Sequence, residues 1–206
     1  MSIKFSIRGG SNAIMIHKSD QHRPTSKKWK IANHAKGGAT VDIHSENCVC
    51  YQGPRIPAKP FEEFIFFATM NSYEHSFKGL DKFLKDYVVA LRKFVKDKCT
   101  RKHKIHLLLP LPRAKNSADF GHIEQMRRVR AWGSAVEDDG FRVYFTYAYL
   151  PKELRKPENL FSKKDKNGIH FSFSVRERIF AVIRKIVESR NAEAEMFTND
   201  HILNIE

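Results

Sequence analysis

The sequence predicts a three-layer α/β domain with a parallel sheet of about five strands. Two kinds of segment point to it. Short runs such as Phe64-Ile65-Phe66-Phe67-Ala68 are apolar on both faces, as strands buried between two helical layers must be. Between such runs lie longer stretches with apolar residues every three or four positions, the period of a helix with one buried side. Right-handed crossovers then connect the strands, and any site belongs at their carboxyl ends.

The elements follow in order. Residues 1–11 end in Gly9-Gly10-Ser11 and read as an arm or edge strand. Ala13-Ile14-Met15-Ile16-His17 is long enough for a buried strand and closes at Lys18-Ser19-Asp20. A helix is expected from Lys27 to Lys36, stopped by Gly37-Gly38. Ala39 to His44 alternates like a strand, and a turn-rich stretch with prolines runs from Ser45 to Pro60. Phe64 to Ala68 is the strongest strand. The helix after it places Phe77, Leu80, Phe83, Leu84, Tyr87, Leu91 and Phe94 on one side. Ile105 to Leu109 is another strand, Ala118 to Val136 a helix, Phe141 to Leu150 a fifth strand, and Pro151 to Asn167 a charged loop. In the last helix, Phe173, Val175, Ile179, Phe180, Ile183, Ile186 and Val187 make an apolar side. Arg176, Arg178, Arg184 and Lys185 fill the gaps.

Composition narrows the partners. The chain has 206 residues, 41% of them apolar, which suits one globular domain over 1–206. No apolar run reaches the ~20 residues of a membrane span. The first residues lack the apolar core of a secretory leader, so none is expected. The net charge is +14, against an acidic tail at 191–206 that holds four acids and no Lys or Arg. That asymmetry points to a polyanionic partner. Cys48, Cys50 and Cys99 form no secretory framework and suggest a reducing compartment. Cys48-x-Cys50 has metal-like spacing with no second pair to answer it, so neither metal nor cofactor is expected.

On these expected strands, a serine, Ser19, follows the first strand and a histidine, His170, precedes the last helix. That layout resembles the SGNH (GDSL-type) hydrolases. The resemblance implies a Gly-Asp-Ser after strand one, a glycine after strand two, a Gly-x-Asn-Asp after strand three and an Asp-x-x-His before the last helix. In those enzymes a serine attacks an ester, the histidine takes its proton and the aspartate orients the histidine. Carried over, the first block reads His17-Lys18-Ser19, and the second falls within Glu46 to Gly53. The third reads Ala68-Thr69-Met70-Asn71, with Met70 at the oxyanion asparagine and Asn71 at the aspartate. The fourth reads Asn167-Gly168-Ile169-His170, with Asn167 where the aspartate belongs; Asp165 could substitute only in a remodelled loop. Losing the aspartate costs roughly 10⁴ in rate on the triad template. Losing an oxyanion donor costs roughly another 10²–10³. The set Ser19, Asn71, Asn167 and His170 is thus expected to be degenerate, and the chain not to be an enzyme. A residual serine esterase or lipase using Ser19 and His170 is the alternative, and a protein-interaction scaffold a third reading.

The chain is also similar, over essentially its whole length and including Ala13 to Arg23, Phe64 to Tyr73 and Gly168 to Val187, to the OSK-domain family of insect germ plasm. This second resemblance implies an SGNH-like fold without the full catalytic set, and RNA as partner. It also implies other germ-plasm proteins as partners, maternal transcripts such as nanos as cargo, and a cytoplasmic place in germ granules at the posterior pole of the oocyte. No membrane or small-molecule substrate is expected. The cations expected to hold RNA are Arg23, Lys27, Lys28, Lys30 and Lys36 beside Trp29, then Arg55 and Lys59 beside Tyr51, then Lys163, Lys164, Arg176 and Arg178 around the last block.

Overall fold

The structure is a computed structural model, and it describes residues 3–18, 29–56, 63–68, 73–74, 76–98, 100–113, 121–166 and 168–188. Five strands form one sheet in the order β2-β1-β3-β4-β5, every pair parallel. They are β1 (Ile3–Gly9), β2 (Trp29–Asn33), β3 (Glu63–Ala68), β4 (Ile105–Leu108) and β5 (Arg142–Tyr144). The helices are α1 (Ser11–Lys18), α2 (Phe77–Lys98), α3 (His122–Asp138), the single turns α4 (Lys152–Arg155) and α5 (Pro157–Leu160), and α6 (Phe173–Glu188). Among the described residues no helix is long and apolar enough to cross a membrane.

From β3 onward the elements match the sequence pattern, because those segments are long or apolar on both faces. Ile65, Phe66, Phe67 and Ala68 are fully buried between the helical layers. Leu80, Phe83, Leu84, Tyr87, Leu91 and Phe94 face them from α2, and the Phe67 and Phe94 rings meet edge to face at 4.9 Å. The fifth strand is shorter than expected. Tyr144 ends it, and residues Thr146–Tyr149 turn as a 3-10 helix. The charged loop contains α4 and α5.

The first third of the chain differs. The first strand is Ile3–Gly9, not Ala13–His17, and it lies inside the sheet between β2 and β3. Its pattern is masked by polar residues that the interior satisfies. Arg8 is 1% exposed; its Nε donates to the Gln52 carbonyl at 3.1 Å, its Nη1 to Ser6 Oγ, and its guanidinium covers the Phe94 ring. The run from Ala13 to Ile16 is instead the core-facing part of α1, with Ala13 and Ile16 buried three positions apart. A short apolar run fits either period, and here the helical one wins.

Two further expectations fail in the same region. Lys27 to Lys36 is not a helix: Trp29–Asn33 is the edge strand β2, paired on β1 alone. An edge strand tolerates the polar content that made this segment look helical. Ala39 to His44 is not a strand. Side-chain turns fold it, with His44 N–H on Asp42 Oδ1 at 2.9 Å and Asp42 N–H on Thr40 Oγ1 at 3.0 Å. In α6, Val175, Ile179 and Ile183 are buried as expected, but Phe173 is exposed rather than part of the apolar side.

Candidate active-site edge

The carboxyl end of β1 organises the edge of the sheet. The chain leaves β1 at Gly9 and enters α1 at Ser11. Gly9 has φ +141°, and a Cβ there would run into the Ala68 carbonyl oxygen of β3, so only glycine fits. The Gln52 side-chain amide closes on the same residue from the other side. Its Oε1 accepts the Gly9 N–H at 2.8 Å, and its Nε2 donates to the Gly9 carbonyl at 3.0 Å. The Lys36 N–H also donates to that carbonyl, at 3.1 Å. Ser11 is therefore presented by a backbone held on several sides.

This placement corrects the serine. Ser19 lies outside the described residues and follows the last residue of α1. The serine after strand one is Ser11, and the first block reads Gly9-Gly10-Ser11. Glycines also follow strand two, at Gly37 and Gly38, rather than within Glu46 to Gly53. The third block, Thr69 to Ser72 with Met70 and Asn71, falls outside the described residues, as does Asn167.

The histidine loop is closed around a carboxylate. Asp165 Oδ2 accepts the Ile169 N–H at 2.7 Å and the His170 N–H, and lies 3.1 Å from His170 Nδ1. Asp165, and not position 167, is the carboxylate that holds His170 Nδ1 among the described residues. Gly168, at φ +60°, makes the turn between them. Ser162 N–H donates to the His170 carbonyl at 2.8 Å, and Phe161 and Phe171 pair as an antiparallel bridge with stacked rings.

One side chain ties this loop to the first edge. Asn12 Nδ2 donates to the Ile169 carbonyl at 2.9 Å, and Asn12 Oδ1 accepts the Phe171 N–H at 3.0 Å. Both bonds straddle His170, and Asn12 is the residue after Ser11. A serine hydroxyl, an imidazole and its carboxylate are thereby brought to one edge. Sequence reasoning missed Ser11 because polar Ser6 and Arg8 hid β1. The Gly-Gly-Ser triplet was the signal that could have found it.

Among the cations, Lys36 is exposed beside Gly9, and Lys163 and Lys164 are exposed on the turn between Phe161 and Asp165. Arg176 is half-buried one turn into α6. Its Nε is buried with no hydrogen-bond partner among the described residues, and burial lowers its pKa. Arg178 is exposed, with its Nε on the Tyr149 carbonyl at 2.9 Å, just past β5. Arg55 is exposed but sits apart: its neighbour Ile56 bonds the Lys98 carbonyl at the far end of α2, toward the amino edge of the sheet. Lys30 is in β2, its side chain outside the described residues; Arg23, Lys27, Lys28 and Lys59 lie wholly outside them. Tyr51 is on the surface with Lys93 over its ring at 5.4 Å.

No group of three or more metal-ligating side chains occurs among the described residues. Cys48 and Cys50 are buried, with sulfurs 3.0 Å apart. The hydrogen bond from Cys50 lowers the Cys48 thiol to about 7, and the same contact pushes Cys50 up.

No protein-family model matches the chain, and no curated protein does. Solved structures do. Over 90% of its length the chain superposes on 94% of Axe2, an acetylxylan esterase from Geobacillus stearothermophilus, with TM-score 0.57 at 16% identity. A lipase/acylhydrolase from Enterococcus faecalis matches over 90% of this chain and 96% of its own, with TM-score 0.52 at 16% identity. A GDSL-like lipase from Bacteroides thetaiotaomicron matches over 90% and 88%, with TM-score 0.52 at 10% identity. The fold is that of the SGNH hydrolases. Identity this low carries the SGNH backbone plan and nothing about substrate. Within that plan, β1, the helix after it and the loop before α6 are the elements that meet at Ser11 and His170.

Proposed function

We propose that this chain is an RNA-binding domain of the Oskar C-terminal type, a non-catalytic SGNH-like module that holds maternal messages such as nanos in germ granules. The observation that carries the reading is the set of cations at one edge: Lys36, Lys163, Lys164, Arg176 and Arg178, on a chain of net charge +14. Phosphates supply most of the affinity in such complexes, and lysine and arginine are what they need. The oxyanion position read at Met70 offers no donor, which is why binding rather than ester turnover is the leading function.

The test is fluorescence anisotropy of a labelled single-stranded RNA over a salt series. About five phosphate contacts on a single strand give a log–log slope near −3.5, so a fourfold rise in salt weakens binding by about 100-fold. Lys36→Glu with Arg176→Glu abolishes binding while the circular-dichroism spectrum stays unchanged. Binding that ignores salt, or none at all, overturns the reading.

A second reading has its own observation in favour. Asp165 on His170 Nδ1, with Ser11 beside the same loop, is the arrangement an acyl-transfer site uses. As a serine esterase the chain turns over 4-nitrophenyl acetate, and Ser11→Ala and His170→Ala each remove that turnover. A wild-type rate equal to the buffer blank eliminates it.

A further inference from the structure

We propose that Phe173 is a stacking platform for one unpaired base of bound RNA, so that this edge prefers single strands to duplex. The inference rests on the RNA-binding reading and adds to it the kind of nucleic acid recognised.

Four large apolar side chains are exposed among the described residues, and Phe173 is one of the two most open, at 52%. Tyr51 has a hydrogen bond to the Ile43 carbonyl and a lysine over its ring. Val89 and Ile123 are aliphatic. Phe173 alone of the four combines a flat ring with no aromatic or cationic contact among the described residues. Its helix does not need it in the core, because Val175, Ile179 and Ile183 already seal that side.

Its neighbours fit an aromatic anion better than a lipid or an apolar peptide. Arg176 is three positions on, so the two side chains share a helix face about 5–6 Å apart at Cβ. Its guanidinium plane can hold the phosphate next to a stacked base, or stack itself. His170, three positions before Phe173, has a side chain 38% exposed and is fixed by Asp165. Glu177 is the acid closest in sequence, and Arg176 and Arg178 flank it. A nucleotide has a base whose π face suits the ring and a phosphate for the cations. A duplex keeps its bases stacked inside and offers only the phosphates.

The experiment uses the full chain with two probes, a labelled 12-mer oligouridylate and a 12-base-pair RNA duplex. Phe173→Ala weakens oligouridylate binding by about 5- to 150-fold and leaves the duplex affinity within about twofold. Phe173→Leu, which keeps apolar bulk but not the ring, weakens it similarly, and Phe173→Trp restores it. None of the three changes the salt slope, whereas Arg176→Ala reduces it by about 0.7 on the oligouridylate. Equal oligouridylate binding by wild type and Phe173→Ala overturns the platform and leaves the RNA-binding reading standing. So does an equal loss on both probes. A wild type that binds neither probe overturns the RNA-binding reading itself, and the platform with it.

Discussion

Asp165 illustrates how a single residue can move a role along the chain. The expected partner of His170 was position 167, three residues back as the SGNH pattern has it. The protein uses a carboxylate five residues back and bends the loop at Gly168 so that two backbone N–H groups and the imidazole converge on Oδ2. A spacing rule assumes a loop shape, and a glycine with positive φ changes the shape. Ser11 and Gln52 were equally hard to see. Ser11 had only the Gly-Gly before it as a signal, and Gln52 reaches Gly9 across forty-three positions. Gly9 yields the sharpest prediction at this scale. Gly9→Ala adds a methyl against the Ala68 carbonyl and the Ala13 side chain at a φ alanine rarely adopts. We expect a loss of about 3 kcal/mol or more, read as a lower urea midpoint, since both the clash and the strain must be relieved. A midpoint equal to wild type would show that β1 and β3 are less tightly juxtaposed than described.

Elements whose apolar content and period agree were legible; the first two strands were not. β3, β4, α2 and α6 announce themselves because apolar content and period agree. β1 and β2 do not, because buried Arg8 and Ser6 break one pattern and an edge position relaxes the other. β4 also carries a polar group inside. His106 stacks with Tyr144 of β5, and its Nδ1 lies 2.8 Å from the Tyr144 hydroxyl. Burial first, then the nearby Arg142 charge, depresses its pKa to about 3. The unfolded chain takes up that proton near 6.5. Between these values the unfolded state binds a proton that the folded state refuses. Stability therefore falls as pH drops below about 6.5, by up to about 1.4 kcal/mol per pH unit. Urea midpoints at pH 7 and pH 5 measure this. His106→Asn should lower the midpoint at pH 7 and flatten the difference between the two; an undiminished difference would assign it to other groups.

At the scale of the whole molecule, charge is the clearest signal. A net charge of +14 speaks for a polyanion before any fold is known. What it cannot say is where the charges meet. Lys36, Lys163, Lys164, Arg176 and Arg178 come from three separate stretches and gather at the carboxyl edge because parallel strands all deliver their ends there. Arg55, equally basic, follows a run toward the opposite edge. If the edge cluster is the RNA site, Lys36→Glu should weaken RNA binding far more than Arg55→Glu, although each changes the net charge by the same amount. Equal effects in the anisotropy assay would mean that bulk charge, not the edge, does the binding.

By itself the sequence determined the α/β class, the five-strand parallel sheet, the helices α2, α3 and α6, the basic character and His170 before the last helix. These depend on local period and composition, which neighbours in sequence carry. Only the tertiary structure decided which serine ends strand one, which carboxylate holds the histidine, and which cations share an edge with Phe173. Those are long-range facts. Asn12 meets Ile169 and Phe171 across more than one hundred and fifty positions, and Gln52 meets Gly9 across forty-three. Such contacts come from packing two layers of helices on one sheet, and no window along the chain contains both partners.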